Sequence, residues 1–419
     1  MTRKKVHIIG GGTVSHVRSH FALSAPAYGE TARRLDKLCR NFDKYEVQLH
    51  LTKMASAGVS PLETNGDIAN LVDRIVTEDS TKMIIFNPCL VDYNGTILDN
   101  SQPTISGKYA ARLQSRKESP LIQLSPADKI ISRIRQERKD IYVVGFKTTT
   151  GATEDEQYLA GLNLLKSSSI NLVLANDTLA RRNMIITPEE ARYHVTTNRN
   201  EALQNLIEIA YLRSDLTFTR STVVEGDPVS WNSLLVPANL RTVVNYCIQN
   251  GAYKPFRGST AGHFAIKIDE GQFLTSRRKK NFNDLNNVGL VRVESNGPDS
   301  VIAYGSRPSV GGQSQRIIFA EHPEYNSIVH FHCPIKLGSN VPVVSQRPYE
   351  CGSHECGQNT SSGLQPFGEL SAVMLDNHGP NIVFNHTADP QYIIRFIDDN
   401  FDLSKKTGGL VSIPENISL

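Results

Sequence analysis

Several features are scarce in this sequence of 419 residues. No stretch approaches the roughly 18 consecutive apolar residues that a membrane helix needs. Only six cysteines are present, which is typical of reduced thiols in a cytoplasm and not of a disulfide framework. The apolar run after the basic N-terminus, residues 6–9, is too short for a secretory signal. We therefore expect a cytoplasmic protein with no membrane contact.

The chain also lacks a strong charge of one sign. It has 45 basic and 42 acidic residues, a formal net charge of +3. This balance gives no support for a nucleic-acid scaffold, and it is compatible with a phosphorylated small molecule as ligand. We expect a phosphorylated small-molecule substrate as the partner and no nucleic acid.

The length suggests two or three domains. Up to about residue 200, apolar runs alternate with stretches of helical spacing, which predicts an α/β domain with a mostly parallel sheet covered by helices. The predicted strands are 5–9, 45–51, 82–86, 141–146 and 170–175, and the predicted helices are 31–41, 67–76, 126–138 and 154–167. For helix 126–138, Ser125 is a suitable N-cap and Pro126 suits the first turn.

The pattern changes after about residue 200. Helices are predicted over 201–214, 230–251 and 391–399, and short strands over 265–304, 317–322, 327–332, 370–375 and 381–384. A loop rich in cysteine, histidine and glycine is predicted over 350–363. We therefore divide the chain into a first domain, residues 1–212, and a second domain, residues 213–419.

The first strand runs into three glycines and Thr13. Such a segment lets the backbone approach an anion closely, and a helix that follows would offer its N–H groups and positive dipole end. The pattern falls short of G-x-G-x-x-G because position 15 is serine. A tight turn without a ligand is the alternative.

Further residues in this half resemble the phosphopantothenoylcysteine synthetase family, also described as the DNA/pantothenate metabolism flavoprotein C-terminal domain. The similar positions are 10–13, 17–18, 24, 29, 143–146 and 172–177, and the resemblance covers roughly residues 4–210. It implies a Rossmann-like fold that binds a nucleoside triphosphate, activates a carboxylate as an acyl nucleotide and joins it to cysteine. By position it implies nucleotide binding through Gly11, Gly12, Thr13, Asn176 and Asp177.

Two positions depart from that family. Its asparagine, which polarises the acyl intermediate, falls on Ala22. Its lysine, which neutralises phosphate charge, falls on Ser168, with Lys166 two residues away. Because both groups serve the ligase reaction, we expect a nucleotide-binding domain that has lost ligase activity.

Three histidines of the second half suggest a metal site. His330 and His332 share one face of the predicted strand 327–332, because strand side chains alternate. His378 of a later Asn-His-Gly turn would add a third nitrogen. Three nitrogen ligands and an open fourth position are the usual catalytic zinc arrangement. Two surface histidines on one strand are the alternative.

The surroundings of these histidines resemble the class II aldolase/adducin family. The similar segments are 260–262, 263–268, 273–276, 322–323, 330–332 and 377–379, within a resemblance that spans roughly 225–405. It implies an α/β/α sandwich around a mainly antiparallel sheet and a homo-oligomer, either a tetramer or a dimer. It also implies a zinc ion, or another divalent metal, that serves aldol cleavage, epimerisation or dehydration of phosphorylated sugars or hydroxy-ketones.

The same resemblance implies a phosphate-binding site formed by two loops. The positions that match the family's two phosphate loops are Gly258, Thr260, Gly262, Ser276 and Arg277, although the usual asparagine after the glycine is His263. The run 277–280 is strongly cationic. It would steer a phosphate, or it is a solvated turn.

The general base is the weakest match. Aldolases of the family carry a glutamate nineteen residues before the first metal histidine, which falls on Gly311, and the nearby Gln313 and Gln315 cannot accept a proton at neutral pH. A dehydratase subfamily places its acid/base glutamate after the histidine pair, where Glu355 is our preferred candidate and Glu350 the second.

A compact C-x-x-H-x-C motif surrounds that position. Cys351, His354 and Cys356 would hold a second metal or supply a reactive thiol, or they are buried thiols in a glycine-rich loop.

Three functions fit these patterns. The first is a metal-dependent, aldolase-type lyase acting on a phosphorylated or nucleotide-linked small molecule, with a nucleotide-binding first domain. The second is a zinc-dependent dehydratase or epimerase of a sugar phosphate that uses Glu355. The third is a non-catalytic nucleotide-binding or assembly protein, which the missing asparagine, lysine and glutamate favour and the three histidines oppose.

Overall fold

A computed structural model of the protein describes residues 3–99, 102–113, 120–309 and 312–407. The chain forms two compact units. The first consists of Met1–Thr187 and Tyr193–Ser214, and the second of Pro188–Arg192 and Asp215–Leu419. The predicted division at residue 212 assigned residues 188–192 to the first domain. In the structure this short segment belongs to the second unit, and the chain then returns to the first unit at Tyr193.

The first unit contains a parallel sheet with helices between its strands. Its strands are β1 (Lys5–Gly12), β2 (Val14–Arg18), β3 (Phe21–Ser24), β4 (Glu46–Leu51), β5 (Thr81–Cys89), β6 (Tyr93–Asp99), β7 (Gln102–Pro103), β8 (Leu121–Pro126), β9 (Tyr142–Thr149), β10 (Leu172–Asp177), β11 (Asn183–Ile186) and β12 (Arg192–Thr196). Its helices are α1 (Glu30–Asn41), α2 (Asn65–Thr77), α3 (Ile131–Glu137), α4 (Glu154–Ser168) and α5 (Arg199–Arg213).

The main sheet of this unit has seven strands in the order β12-β11-β10-β9-β5-β1-β4. Strands β4, β1, β5, β9 and β10 are mutually parallel, and β11 is antiparallel to β10. Consecutive residues of β1, such as Ile8 and Ile9, are both fully buried because helices cover both faces. The carboxyl ends of the parallel strands meet at one edge. This edge holds Gly12 of β1 and Asp177 of β10, three strands apart, which corresponds to about 14 Å.

Local sequence signals account for two helices of the first unit. Thr64 caps α2 and Thr153 caps α4. In each case the carboxylate of the residue three positions later accepts a hydrogen bond from the backbone N–H of the capping threonine. These reciprocal capping boxes satisfy N–H groups that the first helical turn leaves open.

Two predictions for the first unit were wrong. The predicted helix 126–138 begins only at Ile131, because Ser125 and Pro126 form the end of β8, which pairs along its length with β6. The segment after Gly12 is the β2–β3 hairpin and not a helix. Helix α1 begins only at Glu30.

The second unit is built around a larger, mainly antiparallel sheet. Its strands are β13 (Arg220–Val224), β14 (Pro255–Phe256), β15 (Ser259–Thr260), β16 (His263–Asp269), β17 (Gln272–Ser276), β18 (Leu290–Ser295), β19 (Ser300–Tyr304), β20 (Ser327–His330), β21 (Val343–Val344), β22 (Gln365–Phe367), β23 (Leu370–Leu375) and β24 (Gly379–Phe384). Its helices are α6 (Ala238–Gln249), α7 (Leu285–Val288), α8 (Gly312–Glu321), α9 (His354–Gly363) and α10 (Pro390–Asn400), with a 3-10 helix at Phe282–Asp284.

The sheet of ten strands has the order β13-β19-β18-β17-β16-β20-β24-β23-β21, with β22 paired to β23. One face packs against α6 and α10 through a core that includes Phe264, Val329 and Phe384. The other face packs against α8 through a core that includes Ile328, Val373 and Ile318. The unit is therefore a three-layer α/β/α sandwich. Within the described ranges, no helix is long and apolar enough to cross a bilayer.

Four predicted elements of this unit differ from the structure. The strand expected over 317–322 is the last part of helix α8, because Ile318 and Phe319 are buried against the sheet and not paired within it. The helix expected over 230–251 begins at Ala238, after Pro237. The loop expected over 350–363 contains α9, which begins where the Ser353 hydroxyl accepts a bond from the N–H of Cys356. The strand expected over 327–332 ends at His330.

Candidate metal centre

The three candidate histidines come from adjacent strands of the second unit. His330 ends β20, which lies between β16 and β24 in the sheet, and His332 follows two residues later. His378 lies in the turn that joins β23 to β24. All three side chains are buried, with exposed fractions of 1%, 6% and 2%.

Two glycines let the surrounding backbone approach the His-x-His segment. A Cβ on Gly379, which has a φ of 153°, would lie 2.0 Å from the carbonyl oxygen of Phe331. A Cβ on Gly262, with a φ of 101°, would lie 2.6 Å from the carbonyl oxygen of His330. Only a residue without a side chain fits these positions. The glycine after His378 therefore brings the turn onto the other two histidines.

The imidazole nitrogens converge on one point. One ring nitrogen of each histidine lies within 4.8 Å of the other two. The Nε2 atoms of His330 and His378 are 3.3 Å apart. Two nitrogens that share a tetrahedral zinc at about 2.0–2.1 Å would be separated by about 3.3–3.4 Å. The donor set, and the spacing of the His330–His378 pair, therefore fit a tetrahedral metal ion with three protein ligands.

His330 is held in the state that metal binding requires. Its Nδ1 donates a hydrogen bond to the carbonyl oxygen of Pro380 at 2.7 Å, which leaves the lone pair on Nε2. Burial lowers the pKa of His330 to about 4, so that the ring is neutral at pH 7. A neutral imidazole with a lone pair on Nε2 is the form in which histidine can bind a metal.

A second row of polar residues lies beside His330. His263 of β16 and Asn381 of β24 are its neighbours across the sheet, and both are buried. Burial lowers the pKa of His263 well below its usual value. The amide nitrogen of Gln315, from α8, donates to His263 Nδ1 at 2.7 Å. Gln315 is therefore linked to the histidine trio through His263, whose ring lies against that of His330.

Three residues that the sequence did not single out adjoin the trio. The Glu190 carboxylate lies 3.8 Å from Nδ1 of His332 and 2.5 Å from Nζ of Lys406. Thr407 donates its N–H to the carbonyl oxygen of His332 at 3.0 Å and its hydroxyl to that of His378 at 2.6 Å. No local pattern marks these residues, since they come from segments far from the histidines in sequence.

The preferred base candidate, Glu355, lies in the first turn of α9. Its carboxylate accepts from the N–H of Thr217 at 3.1 and 3.2 Å, and its side chain is half-buried. Glu350 is buried in the loop that precedes α9. Gly311 and the side chain of Gln313 lie outside the part of the chain that the structure describes.

The residues of the C-x-x-H-x-C motif do not converge. Cys356 is buried and its Sγ contacts the Gln346 amide. The His354 Nε2 lies 3.5 Å from an Asp299 carboxylate oxygen. Among the described residues, the histidine trio is the only group of three or more potential ligands with mutually close donor atoms.

The two candidate phosphate loops are adjacent. The N–H of Thr260 donates to the carbonyl oxygen of Lys280 at 3.0 Å, which joins segments 258–262 and 276–280. Gly258 lies in the turn between β14 and β15 with a φ of 71°. The Ser276 side chain is buried, while the Arg277 guanidinium donates to the Val288 carbonyl oxygen and to the Ser306 hydroxyl.

The candidate nucleotide residues of the first unit make many bonds within the chain. The Thr13 hydroxyl donates to the Asn65 side chain at 2.6 Å and accepts from the N–H of Val91 at 3.0 Å. Asn176 accepts from the Thr148 hydroxyl at 3.3 Å.

Asp177 is the most heavily bonded of these residues. Its carboxylate accepts from four N–H groups and one hydroxyl, those of Gly151, Ala152, Leu179, Ala180 and Thr149. These donors, the N–H of Ala180 foremost, hold the pKa of Asp177 well below its usual value.

Gly11 and Gly12 are tightly enclosed on one side. A Cβ on Gly11 would lie 2.1 Å from the Thr52 hydroxyl, and one on Gly12 would lie 2.1 Å from the carbonyl oxygen of Ala25. Gly12 also lines a cavity of about 170 Å³, together with Val14, Lys53, Met54 and Glu63. This volume is below the roughly 300–1,000 Å³ of typical small-molecule sites, although it is sufficient for a phosphate-sized group.

Comparisons with known proteins find different relatives for the two halves of the chain. Residues 243–339 match the family Class II Aldolase and Adducin N-terminal domain. A stretch of 85 residues, 20% of this chain, is 29% identical to the Coenzyme A biosynthesis bifunctional protein CoaBC of Thermococcus kodakarensis. That stretch spans only 21% of the relative's own length.

Two solved structures are similar as well. The DNA/Pantothenate Metabolism Flavoprotein from Streptococcus pneumoniae is 20% identical, with 49% of this chain and 97% of that chain covered and a TM-score of 0.41. An L-fuculose 1-phosphate aldolase is 15% identical, with 38% and 81% covered and a TM-score of 0.29. The N-terminal half of the chain thus resembles the phosphopantothenoylcysteine synthetases, and the C-terminal half resembles the class II aldolase/adducin family.

Proposed function

We propose that the second unit is a metal-dependent lyase of the aldolase type, acting on a phosphorylated or nucleotide-linked small molecule. The observation that carries this proposal is the convergence of three buried imidazoles, with two Nε2 atoms 3.3 Å apart. A structural role needs no such arrangement of lone pairs directed at one another. His330, His332 and His378 would hold the ion, zinc or another divalent metal.

The bound metal would supply a Lewis acid that polarises a substrate carbonyl. The chain would supply the rest. Burial of the trio keeps bulk water from the ligand atoms, and the bond from His330 to Pro380 fixes the orientation of its ring. Second-layer partners of this kind strengthen metal ligands.

A phosphate end of the substrate would be bound by the joined loops 258–262 and 276–280. Their candidate groups are Gly258, Thr260, Gly262, Ser276 and Arg277. The contact between Thr260 and Lys280 brings these loops together, which supports a shared anion site. The solved aldolase with a similar fold is named for a phosphorylated sugar, L-fuculose 1-phosphate.

The first unit would bind a nucleotide without performing a ligase reaction. Support comes from the cavity beside Gly12 at the carboxyl edge of the sheet, where parallel α/β sheets bind their ligands. The internal bonds of Thr13 and Asp177 point to backbone groups, and not these side chains, as the contacts to a phosphate. A homo-oligomer, tetramer or dimer, is part of the proposal, and light scattering would measure it.

Metal analysis tests the lyase proposal directly. The purified protein should carry about one zinc or other divalent ion per chain, and His330→Ala should lose it. His386→Ala is the matched control, since His386 is an exposed histidine of the same unit. A metal-free wild type that takes up no zinc, or an unaffected His330→Ala variant, would leave a non-catalytic nucleotide-binding protein as the better account.

The reaction type is tested separately through Glu355. A dehydratase or epimerase that uses this carboxylate as its base should lose about 10²–10⁴-fold in turnover in Glu355→Gln, with its metal content unchanged. Candidate sugar phosphates offered to the metal-loaded protein would show whether a carbon–carbon bond is broken. Cleavage that persists in Glu355→Gln would assign the base elsewhere.

A further inference from the structure

A buried pair of opposite charges lies next to the histidine trio. The side chains of Glu190 and Lys406 are each only 3% exposed, and the carboxylate and the ammonium are 2.5 Å apart. Removing two charges from water is costly, and the mutual attraction of such a pair often does no more than offset that cost. Fold stability is therefore a poor explanation for the presence of this pair.

The carboxylate of this pair lies beside one histidine of the trio, His332. The same oxygen of Glu190, Oε2, that contacts Lys406 lies 3.8 Å from Nδ1 of His332, a charge contact that is longer than a hydrogen bond. Because Nδ1 faces the carboxylate, Nε2 is the nitrogen of His332 left to face the other rings. His330 shows the same polarity, with Nδ1 towards the Pro380 carbonyl oxygen and Nε2 towards His378.

The chain segments that carry Glu190 and Lys406 both belong to the surroundings of the three histidines. Thr407, next to Lys406, bonds to the carbonyl oxygens of His332 and His378. Glu190 has a φ of 69°, a left-handed conformation that a residue with a side chain rarely adopts. The segment Pro188–Arg192 belongs to the second unit even though the chain returns to the first unit at Tyr193. Two separate segments therefore supply one charged group each to the surroundings of His332.

We propose that Glu190, held by Lys406, is a positioning residue that orients His332 with its proton on Nδ1 and its Nε2 lone pair towards the metal. At 3.8 Å the carboxylate acts on the imidazole through its charge, which favours the tautomer with the proton on Nδ1. Carboxylates behind metal-bound histidines act in the same direction. Lys406 holds the carboxylate in place through the contact between their charged groups. This inference rests on the proposed metal site, and it adds to that site a carboxylate from outside the family-matched residues 243–339.

Zinc affinity is the first test, measured by competition with a chromogenic chelator. Glu190→Gln should weaken zinc binding by about 10–100-fold. The matched control is Glu324→Gln, because the Glu324 carboxylate lies 3.7 Å from Nδ1 of His322 but is 58% exposed and outside the trio. This control should bind zinc as the wild type does. A wild type that binds one zinc and a Glu190→Gln variant that binds it equally well would overturn the inference while leaving the proposed function intact.

The role of Lys406 is tested by a double variant. Lys406→Met alone leaves a buried carboxylate without its counter-charge and can destabilise the fold. The double variant Glu190→Gln/Lys406→Met removes both charges. It should bind zinc within about twofold of Glu190→Gln, because the lysine acts through the carboxylate. A further loss of tenfold or more would show that Lys406 acts on the site by itself and would overturn this part.

The tautomer of His332 gives a readout that needs no metal. Nitrogen-15 NMR of the metal-free wild type should show the proton of His332 on Nδ1, and Glu190→Gln should shift the ring towards a mixture of tautomers. A merely structural role of Glu190 would leave the tautomer unchanged in the variant, and that result would overturn the inference. If the wild type bound no zinc, the proposed function would fail as a separate result.

Discussion

The two units use their polar residues in opposite ways. At the carboxyl edge of the first unit, the Thr13 hydroxyl and the Asp177 carboxylate bind other parts of the same chain. In the second unit, the ring nitrogens of His330 and His378 are directed at each other across 3.3 Å, where a shared ion would fit. Motifs of similar strength in the sequence thus lead to polar side chains bound within the chain in one unit and to three converging imidazoles in the other.

The difference follows from what each residue type can satisfy. A carboxylate at the end of a strand finds donors in the loops beside it, so that five donors from two segments, 149–152 and 179–180, surround Asp177. Converged imidazoles have no comparable local partners for all their lone pairs, because each neutral ring carries one donor and one acceptor. A buried cluster of histidines therefore indicates a bound cation more strongly than a buried carboxylate in a turn indicates a ligand.

The largest effect is expected for Gly379, the glycine beside the three histidines. Gly379→Ala should destabilise the second unit by about 3 kcal/mol or more, because its Cβ would lie 2.0 Å from the Phe331 carbonyl oxygen. Urea unfolding followed by the fluorescence of Trp231, the single tryptophan, reports on this unit.

Gly338→Ala separates the clash from the backbone effect. Gly338 also has a positive φ, of 87°, but a Cβ there meets no atom within 4 Å. The left-handed conformation alone should cost about 1 kcal/mol. Equal losses in the two variants would mean that the close approach to Phe331 contributes nothing.

A smaller effect is expected in the first unit for Asp177→Asn. Because its N–H donors hold the folded-state pKa of Asp177 low, the charged form stabilises the native state above the unfolded pKa of about 4, and this contribution is lost as the pH falls through the folded value. The variant should therefore be less stable than the wild type at pH 7, with a difference that shrinks below about pH 4. Hydrogen exchange of residues 149–180 is the measurement.

A pH-independent difference would contradict that account of Asp177. It would mean that the variant is destabilised only because the asparagine NH2 group cannot accept the hydrogen bonds that a carboxylate oxygen accepts. The charge of the carboxylate would then be unimportant. The comparison between the units would then be weakened, because the loop would not depend on a charged acceptor.

The smallest effect is expected for Thr13→Val. The hydroxyl bonds to the Asn65 side chain and to the N–H of Val91, so its loss should cost about 1–2 kcal/mol, whereas Thr13→Ser should retain both bonds. Thermal unfolding with and without added nucleoside triphosphate measures both stability and binding. Unchanged stability together with lost stabilisation by the nucleotide would make Thr13 a ligand residue and would bring the first unit closer to the second.

The predicted elements agree with the structure where the local pattern is strong. The parallel strands and the helices between them follow from alternating apolar runs and capping residues, as at Thr64 and Thr153. The helix predicted from Ser125 and Pro126 was wrong because pairing with β6 took these residues into a strand. Partners distant in sequence can override a good local cap, and no local rule includes them.

The sequence by itself determined the alternation of strands and helices, the two families that the halves resemble, and the three histidines, because each depends on residues close together in the chain or on a spacing that can be counted. Only the tertiary structure decided that the ring nitrogens meet, that Thr13 and Asp177 are bound internally, and that Glu190 and Lys406 lie behind His332. These facts depend on contacts between distant segments, whose distances and burial are fixed by packing and not by sequence pattern.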